Sequence, residues 1–386
     1  MEGFSVKTYT RTDLPKQRST NLELFRIITM LLIIVHHYVV TSALLDIGSP
    51  MLDNLMSKRS LFLLLLGAWG KTGINCFVLI TGYFMCKSQI TAKKFFKLYL
   101  QVLFYYFAVN SVLWITGYCT IDTEEFICAL LPIGYIYDGF DSAYLLFFLC
   151  IPFLNVLLQH MTQRMHAYLL LLLFFLYVVP GTLRFMLYLQ MNYVSWFIVL
   201  YFLGSYVRLY PSRIFENTKF WGICSLICIA VSAASVVVCT WLGVQRGDLQ
   251  SYYFVADSNT FLAVATGLSS FLFFKNLKIP YIPIINKLAS TCFGVLLLHS
   301  NSWALRAWLW DDFLNNTGVY QKSWMPLHAL GSTLAIFLIC AGIDLLRQKY
   351  LEEPFFRFWD KHWERISGTY REIERKLFQK LNIQEQ

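Results

Sequence analysis

Charged residues are scarce in this chain: only 14% of its 386 residues are Asp, Glu, Lys or Arg. Hydrophobic residues make up 57%, and the mean hydropathy is +0.53. Soluble globular domains carry about 25% charged residues, so the composition excludes that class and indicates a multispanning membrane protein. The net charge of +9 does not indicate nucleic-acid binding, because the basic residues lie in short runs between apolar segments and not on one soluble surface.

The chain also lacks the short motifs of nucleotide-binding, hydrolytic and metal enzymes. It has no P-loop, no Gly-rich dinucleotide motif, no G-x-S-x-G elbow and no H-E-x-x-H pair. Its ten cysteines show no CxxC or Cys/His ligand spacing. We therefore expect no bound metal ion, and any chemistry has to come from ionisable residues inside the apolar segments.

Long apolar runs are what the chain does have. A spanning helix needs about 20 apolar residues, and this length predicts an all-α, polytopic integral membrane protein with about ten transmembrane helices in one bundle. The fourth, sixth and eighth runs are short, and residues 126–137 are a re-entrant or interfacial candidate. The predicted spans are 22–45, 61–84, 95–117, 142–159, 167–187, 194–209, 220–243, 259–275, 289–308 and 327–346.

Lys and Arg predict the orientation, because cytoplasmic loops retain positive charge. With the N-terminus inside, 24 of them lie in inside segments and 6 in outside segments. Both termini are therefore predicted to be cytoplasmic. The predicted organisation is a cytoplasmic tail at 1–21, a transmembrane domain at 22–347 and a basic amphipathic cytoplasmic tail at 348–386, which forms either an interfacial helix or a solvated basic helix.

The first apolar run carries ionisable side chains that a lipid-facing helix would avoid: Arg26, His36 and His37. Eleven residues separate Arg26 from His37, a rotation of about 1100°, so both lie on one helix face, about 16 Å apart along the axis. A cation near the cytosol can hold an anionic ligand, and a neutral imidazole can accept a proton. This suits a long cofactor with phosphates at one end. Alternatively, Arg26 pairs with Glu23 or snorkels, and each histidine is structural.

Six short motifs follow one another in order from about residue 20 to 355. They are FRIITMLLIIVHHY with Arg26 and His37, GKTGINCFVLITGYFM with Gly82 and Tyr83, SAYLLFFLCIPFLN with Tyr144, Pro152 and Asn155, VSWFIVLYFLGSYV with Trp196 and Gly204, CFGVLLLHSN with His299, and IDLLRQKYLEEPFF with Asp344, Arg347 and Glu353. This series resembles the acyltransferase-3 family of membrane O-acyltransferases, of the type that acetylates bacterial cell-envelope polysaccharides. Two features depart from the family pattern: Ala143 stands where many members have tryptophan, and TAKKFFK replaces an arginine-rich run.

The resemblance implies transfer of an acyl group, with acetyl expected, from cytoplasmic acyl-CoA to a hydroxyl of a cell-envelope glycan or lipid-linked sugar. It implies acetyl-CoA as donor, a bacterial inner or plasma membrane as location, and membrane lipids and glycan-assembly proteins as partners. His37 would act as general base or as a nucleophile that relays the acetyl group. The cofactor phosphates would be held by four cations, Arg26, Lys93, Lys94 and Lys97.

Other intramembrane residues are candidates for supporting roles. Tyr83, Trp196 and His36 could stabilise an oxyanion, and Tyr144 matches a family position. His299 is either a packing residue or part of the site. Lys71 is either a structural partner of Glu23 or Asp344, or lies away from both carboxylates with its role open. Asp344 is expected to form a local ion pair with Arg347.

Two other classes of function compete with the enzyme. A transporter or flippase for sugars also has many spans with buried charges, and discontinuous helices or an internal repeat would favour it. The two halves show no convincing repeat. A non-catalytic membrane partner of a glycan-assembly complex is the third possibility, although the intramembrane ionisable residues argue against it.

Overall fold

The computed structural model describes residues 19–120, 123, 126–127, 139–184 and 191–380, and every regular element in this part of the chain is helical. The α-helices are α1 Thr20–Val40, α2 Lys58–Gly67, α3 Gly70–Met85, α4 Ala92–Ile115, α5 Phe140–His160, α6 Gln163–Thr182, α7 Tyr193–Leu209, α8 Thr218–Arg246, α9 Phe261–Asn276, α10 Pro283–Ala289, α11 Cys292–His299, α12 Trp303–Ala307, α13 Asn316–Tyr320, α14 Met325–Arg347 and α15 Glu353–Lys380.

Each of the ten predicted spans coincides with helical structure. In the described part of the chain, seven helical segments are long and apolar enough to cross a membrane, and three apolar segments are shorter, namely Tyr193–Leu209, Phe261–Asn276 and Pro283–His299. The chain is therefore an all-helical, polytopic membrane protein. The fourth span was predicted to be short, but α5 has 21 residues. Most of the interfacial candidate at 126–137 lies outside the described residues.

Two of the predicted spans contain a break in the helix. The second span is interrupted between α2 and α3 at Ala68 and Trp69. The ninth starts at Pro283, is interrupted at Ser290 and Thr291, and ends at His299. The hydroxyls of Ser290 and Thr291 each donate to a backbone carbonyl three residues earlier, at 2.7 Å, and such bonds compete with the regular helix.

The bundle has two ends, which we call basal and distal. At the basal end, α1 begins and α9 finishes, and the Asn21 amide donates to the carbonyls of Phe274 and Lys275 at 3.0 and 2.8 Å. The Asn286 amide of α10 donates to Thr20 at 2.9 Å in the same region. The distal end is where α1 finishes at Val40. The basal end is the side predicted to be cytoplasmic.

Glycine lets α3 and α7 pack with their backbones in contact. A Cβ on Gly82 would lie 2.8 Å from the carbonyl oxygen of Tyr201, and one on Gly204 would lie 2.6 Å from that of Leu79. Small residues at such crossings allow close packing of membrane helices, where no water is available to drive association. The α3–α7 pair therefore forms a rigid centre, and α1 packs beside α3 through Ile33 and Gly73.

The last span runs into the C-terminal segment without a break. Arg347 at the end of α14 is followed by a π-helical turn at Gln348–Glu352 and then directly by α15. The helix therefore continues across the predicted boundary between residues 347 and 348, and only the amino-acid composition changes there.

Candidate active site

His37 of α1 and His299 of α11 form the centre of the candidate site. Nδ1 of His37 lies 3.0 Å from Nε2 of His299, and the ring centroids are 5.2 Å apart. The two residues are 262 positions apart in the chain. His299 is 1% exposed. The structure therefore brings His299 to the predicted catalytic residue, which the sequence alone left undecided.

The hydrogen bonds define which nitrogen of each neutral ring carries a proton. Nδ1 of His299 lies 2.6 Å from the carbonyl oxygen of Val295, which can only accept, so Nδ1 is the donor. Nε2 of His299 must then accept the proton of Nδ1 of His37. Nε2 of His37 is consequently left with a free lone pair, as a general base requires.

His36 is placed differently from its neighbour. Its Nδ1 lies 2.5 Å from the carbonyl oxygen of Gly67, at the break between α2 and α3. Its ring packs directly on the backbone of Gly70, where an added Cβ would lie 2.2 Å from Cγ of the ring. The last turn of α2 leaves carbonyls without helical partners, so His36 satisfies one of them. Its role in the structure is to hold the broken helix against α1.

Arg26 lies on α1 toward the basal end and pairs with Glu23. Its Nη1 donates to Oε2 of Glu23 at 2.8 Å, and the arginine side chain is 23% exposed. The ion pair uses one of the five donors of the guanidinium. The sequence offered this pairing as the structural alternative. It occurs here and leaves donors for a further anionic group.

The three lysines at the start of α4 do not converge on Arg26. Lys93 binds Asp360 of α15 at 2.7 Å, and Lys97 binds Glu352 at 2.5 Å. Lys94 donates to Ser88 and to the carbonyl of Gln89, at 2.7 and 2.6 Å. Two of these three lysines, which were predicted to bind phosphate together with Arg26, therefore bind carboxylates of the C-terminal segment.

Three other predicted residues lie away from the histidine pair or use their polar groups elsewhere. Tyr83 accepts from Arg208 at 2.8 Å and lies thirteen residues beyond Gly70 on α3, about 20 Å along the helix. The indole N–H of Trp196 donates to Asn75 at 2.9 Å. The Tyr144 hydroxyl lies 3.0 Å from that of Thr81. The structure therefore does not support Tyr83 or Trp196 as oxyanion donors at His37.

Two cations lie next to the histidines. Lys71 follows Gly70, and its Nζ donates to the Tyr193 hydroxyl at 2.7 Å, so its partner is neither Glu23 nor Asp344. Arg306 donates through Nη2 to the carbonyl of Ser300 at 2.9 Å, one residue after His299. Both side chains interact electrostatically with His37. Arg306 was not predicted as a site residue, because its position in the sequence indicates only an outside-loop charge.

A second buried polar cluster lies at Asp344 of α14. Its carboxylate accepts from Tyr105 at 2.6 Å, from Arg347 at 2.8 Å and from Gln348 at 2.7 Å. Arg347 also binds Glu352 at 2.9 Å. The predicted ion pair between Asp344 and Arg347 is confirmed, and it belongs to a network that ends at Lys97. Within the described residues, no three His, Cys, Asp or Glu side chains are arranged to hold a metal ion.

A polytopic helical bundle with a histidine pair inside it, and an arginine toward its basal end, defines the class as a multispanning membrane protein with ionisable groups inside the bundle. Residues 19–345 match the family model described as an acyltransferase domain, so the chain belongs to the acyltransferase-3 family. It is an acyltransferase. Comparisons with curated proteins and with solved structures found no match.

Proposed function

We propose that the protein transfers an acetyl group from acetyl-CoA to a hydroxyl of a cell-envelope glycan or lipid-linked sugar, in the cell membrane of a bacterium. The observation that carries the proposal is the hydrogen bond from His37 to His299. It leaves Nε2 of His37 free to take a proton, on the helix face shared with Arg26. The base and the cation lie about 16 Å apart along α1. This arrangement suits a long donor that places its thioester at His37 and its phosphates at the Arg26 end.

The donor would enter from the basal end, where the cations lie. Arg26 retains guanidinium donors beyond the one that binds Glu23. Lys93 is 42% exposed and its partner Asp360 is 59% exposed, so this carboxylate can be exchanged for phosphate, because exposed ion pairs are worth only about 0–1 kcal/mol. Lys97 is 54% exposed, but its partner Glu352 is 9% exposed and also binds Arg347, so that pair stays closed. The pantetheine arm would then lie along α1 with its thioester near His37.

At the histidine pair, Nε2 of His37 would take the proton of the acceptor hydroxyl as its oxygen attacks the thioester carbon. The C–O bond forms and the C–S bond breaks. The leaving thiolate takes the proton back from the imidazolium, so that free CoA and the acetyl ester are the products. His299 would orient His37 and stabilise its cationic form. In the second route Nε2 attacks the thioester carbon, the C–S bond breaks and CoA thiolate leaves, which gives an acetyl-histidine. The acceptor oxygen would then attack the acetyl carbon, the N–C bond breaks to release His37, and the hydroxyl proton passes to the thiolate.

The broken helices are a feature that also occurs in transporters. Here one break presents the Gly67 carbonyl to His36, and the helix that follows the other break ends at His299. Both breaks thus shape the surroundings of the histidine pair. This arrangement, together with membership of an acyltransferase family, supports the enzyme over the transporter.

Purified protein incubated with [14C]acetyl-CoA and envelope glycan fractions should transfer label to the glycan, and Arg26→Gln should raise the KM for acetyl-CoA by about tenfold, since a charge-assisted hydrogen bond contributes about 1.5–3 kcal/mol. Lys322→Gln, at a lysine on the predicted outer side, is the matched control and should leave KM unchanged. Acid quenching without acceptor shows whether label is first held by the protein. Absence of both transfer and acetyl-CoA binding would contradict the proposal.

His299→Ala should lower kcat by about a hundredfold while leaving the KM for acetyl-CoA unchanged, because the imidazole of His37 loses the partner that fixes its tautomer. His299→Gln keeps an acceptor oxygen and should restore part of the rate. His328→Ala removes a histidine bonded to the Tyr38 hydroxyl at 2.9 Å and serves as control. Equal rates for the Ala and Gln variants would show that His299 only fills space.

A further inference from the structure

An apolar groove runs along the distal half of α4. It has a volume of about 740 Å³ and is lined by residues of α4, α11, α12 and α14, among them Phe104, Ala108, Val112, Leu298 and Leu305. From Phe104 to the end of α4 at Ile115 the groove follows the helix for about 17 Å, and it continues past the helix to Tyr118. A hydrocarbon chain that lies parallel to the transmembrane helices fits this shape.

The groove reaches the two turns that carry the candidate site. Leu298 lines it and precedes His299, and Leu305 lines it and precedes Arg306. Successive helical residues point about 100° apart. Leu298 and Leu305 therefore face the groove, while His299 binds His37 on the interior side. Arg306 directly follows the groove residue Leu305 and interacts electrostatically with both His37 and His299.

Arg306 is a partly buried cation without a carboxylate partner. Among the described residues, no Asp or Glu oxygen lies within 4.0 Å of it, and its Nε is buried without a hydrogen-bond partner. The guanidinium lies 5.3 Å from the Trp303 ring, and only the carbonyl of Ser300 accepts from it. Asp141 acts on it electrostatically from a greater distance. Charged groups within membrane proteins are costly unless they serve a ligand or a partner.

We propose that the acceptor is a lipid-linked sugar, whose hydrocarbon chain lies in the groove and whose linking phosphate is bound by Arg306. This inference rests on the proposed function. In a lipid-linked sugar the phosphate stands between the hydrocarbon chain and the sugar. The groove, Arg306 and the pair of His299 and His37 would contact these three parts in the same order. The forked donors of arginine suit a phosphate group. A glycan without a lipid chain would leave both the groove and the cation unused.

The test uses the full-length protein in nanodiscs, with a long-chain polyprenyl phosphate as the probe and native mass spectrometry as the readout. Wild-type protein should retain the probe, and Arg306→Gln and Ala108→Trp should each weaken retention by about tenfold or more. Arg306→Lys should weaken retention of the probe by less than Arg306→Gln does. Leu172→Trp introduces the same side chain at a position of α6 that is 54% exposed, and it should bind like the wild type.

Further arms identify the source of the binding. The corresponding polyprenyl alcohol should bind weakly and respond to Ala108→Trp but not to Arg306→Gln. Phosphatidylglycerol should not compete at equal concentration. If it does, the groove is an ordinary phospholipid site and the inference is wrong. If Ala108→Trp does not fold, Val112→Trp, at a position 60% exposed, takes its place.

The two proposals fail in different ways. If Arg306→Gln and Ala108→Trp both still acetylate a lipid-linked sugar from acetyl-CoA at the wild-type rate, the proposed binding of its chain and phosphate is wrong and the transferase stands. If the probe binds as described but acetyl-CoA neither binds nor donates to any acceptor, the proposed acetyl transfer is wrong and the lipid site stands. Equal retention of the probe by wild type and by all variants overturns the inference directly.

Discussion

His37→Ala is expected to lower the rate of acetyl transfer by about 10²–10⁴-fold, the range that a general base contributes. The free Nε2 would act on the acceptor hydroxyl in the transition state, so its loss should reduce kcat and not the affinity for acetyl-CoA. Initial rates with [14C]acetyl-CoA and a direct measurement of acetyl-CoA binding separate these effects. Expression and membrane insertion should be unchanged.

His36→Ala is the neighbouring control. Because His36 bonds the Gly67 carbonyl at 2.5 Å and packs on Gly70, its replacement should lower the melting temperature and leave measurable transfer. The reverse pattern, with His36→Ala inactive and His37→Ala active, would show that the active-site assignment is wrong even for a correct enzyme class.

Asp344→Ala should destabilise the protein by about 3–5 kcal/mol, the cost of breaking a buried ion pair. Asp344 is fully buried, and its carboxylate is the shared acceptor of Tyr105, Arg347 and Gln348. Without it, the guanidinium of Arg347 stays 8% exposed with Glu352 alone for compensation. Unfolding in mixed micelles with increasing denaturant measures the change.

Asp360→Ala is the matched control for this substitution. It also removes an aspartate from a salt bridge, with Lys93, but both side chains are more than two-fifths exposed. Its cost should therefore stay below about 1 kcal/mol. Equal destabilisation by the two variants would mean that the Asp344 network contributes no more than a surface pair.

The helix phase of α1 was predictable, because 3.6 residues per turn decide which side chains share a face. That arithmetic separated His37 from His36, and the structure gives them different partners. The breaks at Ala68 and Ser290 were not predictable from hydropathy, which averages over a window and does not detect hydroxyls that bond backward or a histidine that caps a carbonyl. The glycines Gly67 and Gly70, on either side of the first break, were the available signal.

Contacts between distant segments were the other limit. The sequence listed His299 without showing that it meets His37, since nothing local relates α1 to α11. Tyr83 and Trp196 match family positions, but their distances and partners depend on how α3 and α7 pack. Arg306 was counted as a loop charge, because its nearness to the histidine pair depends on how α11 and α12 fold against α1.

The His37–His299 bond links residues 262 positions apart, and this separation has a consequence for biogenesis. Membrane chains are made from the N-terminus, so α1 is in place long before α11 emerges from the ribosome. His37 therefore lacks its partner during most of synthesis, and no chain that stops before residue 299 contains the complete pair. The buried histidine pair is therefore assembled late in synthesis, after most of the bundle has been made.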